Sequence, residues 1–287
     1  MDSRIAAAEA VMQMDRYLRA ELLKKDGVVQ KKKLWENTFA KHQIDKRKGG
    51  GMFFLQDHIR AMVYSMLSAG VVWARVESGI DEATGQITQI DDLFHGYDVD
   101  YILSSSPRQF VDRIKEERLA GQYTEKQIIG LINTNIPKLI EIEQEYGNID
   151  SCYRRYIIDD DISCLIRMLS SSESSLKLSQ MGEALNAEYL KNVGYDTAKP
   201  DRHIRRILGS KILGCSDKET VPVYETVTIV SEIAEVLGKS AAEVDYILWA
   251  YCATGYGEVC TLKGAKCSLC AVAPYCKTTN INKEKGV

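Results

Sequence analysis

Apolar residues recur at helical spacing along almost the whole chain, and this spacing limits the fold more than any other feature. The clearest segment is 55–67, in which Leu, Ile, Met and Val residues line one face of a helix. Ser106-Pro107 and the capping patterns Thr124-Glu-Lys-Gln127 and Ser240-Ala-Ala-Glu243 each predict the start of a helix. Pro137 is expected to kink or end the helix that follows Thr124. Segments that alternate apolar and polar residues, as half-buried strands do, are missing. The sequence therefore predicts an all-α protein of many short helices.

Composition narrows the class of protein. The chain has 287 residues, of which 45% are apolar, so it can bury the core of about two domains and is not mainly disordered. It contains no run of about 18 apolar residues, which excludes a transmembrane helix. The net charge of −3 excludes a uniformly basic nucleic-acid coat protein, although basic runs occur at 31–48 and 199–211. The first residues do not read as a secretory signal, so we expect a cytoplasmic protein.

Four of the eight cysteines lie within 17 residues near the end of the chain. Their spacing is Cys260-x6-Cys267-x2-Cys270-x5-Cys276. Such a short segment cannot build a core of its own, and four thiolates around a metal centre would hold it. From the residues alone, a structural zinc site and a [4Fe–4S] cluster both remain open, because each takes four cysteines. The other four cysteines are scattered, as small apolar residues are: Cys152, Cys164, Cys215 and Cys252.

This spacing resembles the iron–sulfur loop of endonuclease III and its relatives in the helix-hairpin-helix DNA glycosylase superfamily. All four cysteines and all three spacings match. The resemblance implies a structural [4Fe–4S] cluster held by the four cysteines. It also implies that basic residues between the first two cysteines contact DNA phosphate, and here these are Lys263 and Lys266.

The segment 199–208 resembles the part of the family that carries its catalytic aspartate, and Asp201 takes that place. From the residues alone, Asp201 follows Pro200 and is also a typical helix N-cap, so a purely structural role stays open. A carboxylate at this point would stabilise the positive charge that develops on deoxyribose as the base leaves. Arg202, Arg205 and Arg206 would then contact phosphate, which fixes register without reading sequence, or pack as a basic side of the helix.

Residues 178–182 occupy the place of the family's hairpin, whose pattern is Leu-Pro-Gly-hydrophobe-Gly. The resemblance implies that the turn at Gln180, Met181 and Gly182 binds a DNA phosphate through backbone amides. Only the second glycine of the pattern is kept. Bifunctional relatives carry a lysine two residues after this glycine, where this chain has Ala184. We therefore expect water to act as the nucleophile, with no Schiff base and no lyase activity.

Residues 53–73 resemble the first barrel helix of the family. Gly70 stands where the family has a glutamine that fills the space of the flipped nucleotide, so another side chain must fill that space. Ser65 replaces the glutamate of adenine-specific relatives, which argues against adenine opposite oxidised guanine as the substrate. The base pocket is predicted at Tyr64, Gly70 and Trp73, because an extruded base is held against aromatic or apolar side chains.

The family architecture implies two helical domains. A central barrel of helices would cover 52–195, with the hairpin near 178–182, and an iron–sulfur domain would combine 1–51 with 196–287. The expected activity is base-excision DNA repair by a monofunctional glycosylase that acts as a monomer on double-stranded DNA with a lesion. We expect it to be associated with the nucleoid and to have no membrane partner. Two alternatives remain: a noncatalytic binder of damaged or distorted DNA, and a redox protein that uses the cluster.

Overall fold

The computed structural model describes residues 3–24, 30–71, 73–159 and 161–279. These residues form fifteen α-helices and no β-strand, so the predicted all-α class is confirmed. The helices are α1 (Ser3–Lys24), α2 (Phe39–Lys48), α3 (Leu55–Leu67), α4 (Trp73–Ser78), α5 (Thr88–Leu93), α6 (Val99–Ser104), α7 (Pro107–Glu116), α8 (Thr124–Gly130), α9 (Ile136–Tyr146), α10 (Ile149–Tyr153), α11 (Ser163–Ser170), α12 (Glu183–Asn192), α13 (Arg202–Ile207), α14 (Val223–Leu237) and α15 (Ala241–Cys252). None of the helices in these ranges combines the length and the apolar character that crossing a bilayer requires.

The chain divides into two compact units. The terminal unit is drawn from Met1–Glu36 and Asp196–Val287, and the central unit is Asn37–Tyr195. In the terminal unit, α1 packs on α14 and α15, so both ends of the chain contribute to one apolar core. Fully buried members of this core include Val11, Met14, Ile229, Ile233 and Leu248. In the central unit, α12 packs on α3 and α2.

Residues 37–51, which include α2, belong to the central unit. The sequence had predicted that all residues up to 51 join the terminal unit. Arg47 on α2 explains the difference, because its guanidinium binds both carboxylate oxygens of Asp150 at 3.0 Å. Arg47 also donates to the carbonyl of Val193 and stacks on the ring of Tyr195 at 4.0 Å. Burial alone would raise the pKa of Asp150, but the hydrogen bonds and charge of Arg47 outweigh it and lower that pKa.

Most predicted helix starts are confirmed, and one is not. The side chain of Ser106 caps α7, which begins at Pro107, and the side chain of Ser240 caps α15. Thr124 does not cap α8, because its hydroxyl accepts from the amide of Gly121 instead. Pro137 was expected to kink or end this helix. The α-helix ends at Gly130, and a π-helical turn, Leu131–Asn135, leads into α9, in which Pro137 is the second residue.

A histidine in the middle of the central unit should make stability depend on pH. His58 is fully buried, and its Nδ1 lies 2.7 Å from the hydroxyl of Tyr189. Burial lowers the pKa of His58 from 6.5 to about 4, against the opposing charge of Asp150. Since the unfolded chain takes up the proton first, stability falls as the pH drops below 6.5 and the loss continues until the folded pKa is reached.

We expect His58 alone to cost about 2 kcal/mol of unfolding free energy between pH 7 and pH 5, from the two pKa values and about 1.4 kcal/mol per pKa unit. Urea unfolding of the wild type and His58→Gln at both pH values measures this cost as a difference between the two proteins. An equal loss in both proteins would show that other groups carry the pH dependence.

Candidate functional site

The carboxylate of Asp201 is held through one of its two oxygens. Asp201 is the N-cap of α13, and its Oδ1 accepts from the amides of His203 at 2.7 Å and Ile204 at 3.0 Å. Its Oδ2 accepts no hydrogen bond within residues 3–24, 30–71, 73–159 and 161–279, and the side chain is half-buried. The predicted cap is therefore present, and it orients the carboxylate while one oxygen stays available to a ligand or to water.

The basic residues of α13 divide between surface and interior. Arg202 is exposed. Arg205 is partly held by the protein, since its Nε donates to the carbonyl of Val221 at 2.6 Å. Burial lowers the pKa of His203, with only the neighbouring charge of Asp201 opposing it. Beside Asp201, this helix therefore presents a half-buried imidazole whose pKa is lowered and one exposed guanidinium.

Arg206, which was expected with its neighbours to contact phosphate or to pack as part of a basic helix side, joins α13 to the cysteine segment. Its guanidinium lies 3.5 Å from Sγ of Cys260 and also donates to the carbonyl of Cys260. The hydrogen bond from Cys252 and the charge of Arg206 lower the pKa of the Cys260 thiol to about 6. This contact places the first predicted cysteine ligand against α13, the helix that Asp201 caps.

A second anchor lies at the middle of the segment. The hydroxyl of Tyr251, on α15, donates to Sγ of Cys270 at 3.4 Å and accepts from the amide of Ala271 at 3.0 Å. Cys267 is exposed, and Cys276 is half-buried. Two of the four predicted ligands are thus held by side chains of α13 and α15, and of the other two only Cys267 is exposed.

The donor set of this segment can be compared with the cluster that the sequence predicts. Four free cysteines on one short segment are the number and kind of donor that a [4Fe–4S] cluster takes. In the part of the chain that the structure describes, no three His, Cys, Asp or Glu side chains are grouped as a metal site. The fit therefore lies in the chemistry of the donors, and the cluster itself is a proposal.

The two lysines of the first arm are exposed, as residues that contact phosphate must be. Lys263 and Lys266 both lie on the surface of the segment. Nζ of Lys266 lies 3.4 Å from a carboxylate oxygen of Glu258. Since an exposed ion pair of this kind contributes less than about 1 kcal/mol, it does not prevent Lys266 from binding an anion.

In the central unit, the predicted hairpin has the backbone of a glycine turn. Gln180, which stands at the first glycine of the family pattern, adopts φ of +59°, a left-handed conformation that favours glycine. Met181 is buried, and Gly182 is the N-cap of α12. The amides of these three residues donate no hydrogen bond within the described ranges. A turn with free amides is therefore retained although the glycine is lost.

Buried amide side chains hold this turn in place from two sides. Asn135, the last residue of the π-helical turn, donates to the carbonyl of Ser179 at 3.1 Å and accepts its amide at 2.7 Å. Asn186 on α12 donates to the carbonyl of Met181 at 3.0 Å. Gly130 allows the close approach, because a Cβ there would lie 2.9 Å from Oγ of Ser179.

We expect Gln180→Gly to stabilise the protein by about 1 kcal/mol, because it removes a left-handed non-glycine residue whose cost is roughly 1–2 kcal/mol. Part of this gain is offset by the greater freedom of glycine in the unfolded chain. Urea unfolding measures the change. Gln180→Ala is the matched control, since alanine keeps the strain, and an equal gain in both variants would contradict this explanation.

The predicted base pocket is only partly at the surface. Tyr64 lies in the core, where its hydroxyl donates to Asp91 at 2.8 Å and accepts from the amide of Ile87 at 2.7 Å. This corrects its assignment to the pocket, because the hydroxyl is used to fix α5 against α3. Gly70 is exposed with φ of +75°, and the half-buried Trp73 begins α4.

The side chains of Gln122 and Tyr123, which were not predicted to belong to the pocket, lie against Gly70. A Cβ on Gly70 would contact the ring of Tyr123 at 3.6 Å and Cγ of Gln122 at 3.7 Å. The backbones meet closely here, because a Cβ on Gly121 would lie 2.6 Å from the carbonyl oxygen of Gly70. Tyr123 is 49% exposed, so its ring covers this glycine and still faces solvent. In the sequence, Gly121 is the residue that could have indicated this close approach of the two backbones.

Comparison of the chain with protein-family models, with curated proteins and with solved structures found no match.

Proposed function

We propose that this protein is a monofunctional DNA glycosylase, which hydrolyses the N-glycosidic bond of a damaged or mismatched base in double-stranded DNA. The observation that carries the proposal is the carboxylate of Asp201, which two amides orient through Oδ1 while Oδ2 accepts no hydrogen bond from the described residues. The resemblance of segment 199–208 and of the cysteine spacing to this superfamily supports it. As part of the same proposal, the protein acts as a nucleoid-associated monomer.

In this proposal Asp201 does the chemical work. Its charge stabilises the oxocarbenium character of the sugar as the base departs, and its available oxygen orients the attacking water. Ala184 stands where a Schiff-base lysine would be needed. Water therefore attacks the sugar, the base is released, and the DNA strand stays intact. When bound, a [4Fe–4S] cluster would be structural, held by Cys260, Cys267, Cys270 and Cys276.

DNA binding is assigned to backbone amides and exposed cations. The free amides at Gln180, Met181 and Gly182 precede the ten-residue helix α12, and such amides bind phosphate oxygens. Exposed Arg202, Lys263 and Lys266 supply charge on the terminal unit. Since phosphate contacts release counterions, the affinity for DNA should fall steeply as the salt concentration rises.

The test of the proposed function is base release from a panel of duplexes, each with a different damaged or mismatched base. Each reaction is scored for base release before treatment and for strand cleavage before and after hot alkali. Base release with strand cleavage only after alkali is the expected result. Cleavage without alkali would show lyase activity and contradict the monofunctional mechanism.

The second candidate is a noncatalytic binder of damaged or distorted DNA. Gly70 favours it, because the side chain that fills the space of a flipped nucleotide in the family is missing here. Salt-sensitive DNA binding without base release across the panel would support this candidate, and Asp201 would then be a helix cap only.

We expect Tyr123 to take over the role of the side chain that is missing at Gly70, by stacking on DNA bases. Since stacking on an aromatic ring contributes roughly 1–3 kcal/mol per base, Tyr123→Ala should weaken binding to lesion-containing DNA by about 5- to 150-fold. Fluorescence anisotropy with a labelled duplex measures the change. Tyr123→Phe keeps the ring and should bind as the wild type does, whereas wild-type affinity in Tyr123→Ala would exclude this role.

A further inference from the structure

Cys252 is a buried thiol that the proposed function does not use. It is the last residue of α15, and 2% of it is exposed. Its side chain nevertheless has a partner, since Nη2 of Arg206 lies 3.9 Å from Sγ of Cys252. This cysteine therefore differs from Cys164 and Cys152, for which no side-chain hydrogen bond is found in the described residues.

The backbone brings the two cysteines together by closing the loop between them. The carbonyl of Tyr251 accepts from the amide of Val259 at 3.0 Å, and the amide of Cys260 lies 3.5 Å from the same oxygen. The amide of Gly257 donates to the carbonyl of Ala250 at 3.0 Å. Residues 252 and 260 are thus the two ends of a loop that backbone hydrogen bonds hold shut.

One guanidinium holds both sulfurs on the same side. Nη1 of Arg206 lies 3.5 Å from Sγ of Cys260, and Nη2 lies 3.9 Å from Sγ of Cys252. Arg206 is itself fixed by its hydrogen bond to the carbonyl of Cys260. The two thiols are therefore positioned by a shared partner as well as by the loop.

We propose that Cys252 and Cys260 are a site of reversible oxidation, which forms a disulfide when the chain meets a peroxide. Sulfur of Cys260 attacks one peroxide oxygen, the O–O bond breaks, and water leaves after proton transfer. Sulfur of Cys252 then displaces the hydroxyl of the resulting sulfenic acid as a second water. Two thiols and one hydrogen peroxide give one disulfide and two waters, so both sulfurs are oxidised and both peroxide oxygens are reduced.

One consequence rests on the proposed function. Because Cys260 is also a proposed cluster ligand, the disulfide and the cluster exclude each other. Oxidation would then convert a chain without cluster into a form that cannot take one up until a thiol reductant reopens the bond. The disulfide itself depends only on the two thiols, so it can be tested whether or not a cluster is bound.

The test is peptide mapping of the full chain, as purified and after iron removal with a chelator. Both samples are treated with hydrogen peroxide, alkylated under denaturing conditions and digested with trypsin. Residues 240–263 form one tryptic peptide, in which Cys252 and Cys260 are the only cysteines. In the chelated sample we expect this peptide to lose two hydrogen atoms and to carry no alkyl group, and dithiothreitol before alkylation should restore both alkylation sites.

The controls separate this site from general thiol oxidation. Cys252→Ser should leave Cys260 open to alkylation or further oxidation, whereas Cys164→Ser should leave the disulfide unchanged. The proposal is overturned if both cysteines of the wild-type peptide stay alkylated, or if Cys260 links to another cysteine instead. Mapping of the wild type needs no variant to fold. Iron content and base release are measured separately, so failure of the disulfide differs from failure of the proposed function.

Discussion

Asp201→Asn should abolish most base release and leave DNA binding almost unchanged. Removing a carboxylate that stabilises charge or positions water in the transition state typically costs roughly 10²–10⁴-fold in rate. Asparagine has nearly the same shape, and its Oδ1 can still accept from the amides of His203 and Ile204. Single-turnover base release and a binding titration on the same duplex measure the two effects.

The cap provides the control for this experiment. Asp201→Ala loses both amide hydrogen bonds and should destabilise the protein by about 1 kcal/mol, whereas Asp201→Asn should not. Both variants should lose base release to a similar extent. If Asp201→Asn released base at a rate within a few-fold of the wild type, the carboxylate would be a helix cap and the glycosylase mechanism would lose its principal residue.

Local signals in the sequence predict those features of the fold that depend on only a few consecutive residues. The apolar face of α3, the Ser106-Pro107 start of α7 and the Ser240 cap of α15 are all found as expected. The N-cap position of Asp201 belongs to the same class, because a cap needs only its own side chain and the next few amides. These features are fixed within about one helical turn.

Features that depend on distant residues were not predictable in the same way. The position of α2 depends on Arg47 meeting Asp150, which lies far along the chain. Tyr64 was expected in a pocket, but its hydroxyl bonds to Asp91 and Ile87 inside the core. Arg206 lies against Cys260, and Tyr123 lies against Gly70, only because segments that are distant in the sequence meet within each unit. Spacing along one segment carries no information about such partners.

The turn at residues 178–182 depends both on its local residues and on distant partners. The pattern lacks its first glycine, so sequence alone made the turn uncertain. The left-handed conformation of Gln180 survives because Asn135 and Asn186 hold the flanking carbonyls. Tertiary hydrogen bonds can thus impose a backbone conformation that the local residue disfavours, at a cost that the rest of the unit offsets.

Removal of one proposed cluster ligand should have the largest effect on stability. Cys267 is the most informative ligand to change, because it is exposed. In a chain without metal, Cys267→Ser would be an ordinary surface substitution worth less than about 0.5 kcal/mol. Binding of a structural metal contributes on the order of 10 kcal/mol to folding of small metal sites. A large loss of stability in Cys267→Ser would therefore report the metal and not the side chain.

We expect Cys267→Ser to lose its iron, its visible absorbance and the cooperative unfolding of the cysteine segment, with lower affinity for DNA through Lys263 and Lys266. Cys164→Ser on α11 is the matched control and should retain iron and DNA binding. Iron and zinc analysis of anaerobically purified protein, with thermal unfolding, measures the outcome. Zinc in place of iron would retain a four-cysteine site and contradict the cluster. Equal stability of Cys267→Ser and the wild type, with no metal in either, would mean that Arg206 and Tyr251 hold the segment through protein contacts alone.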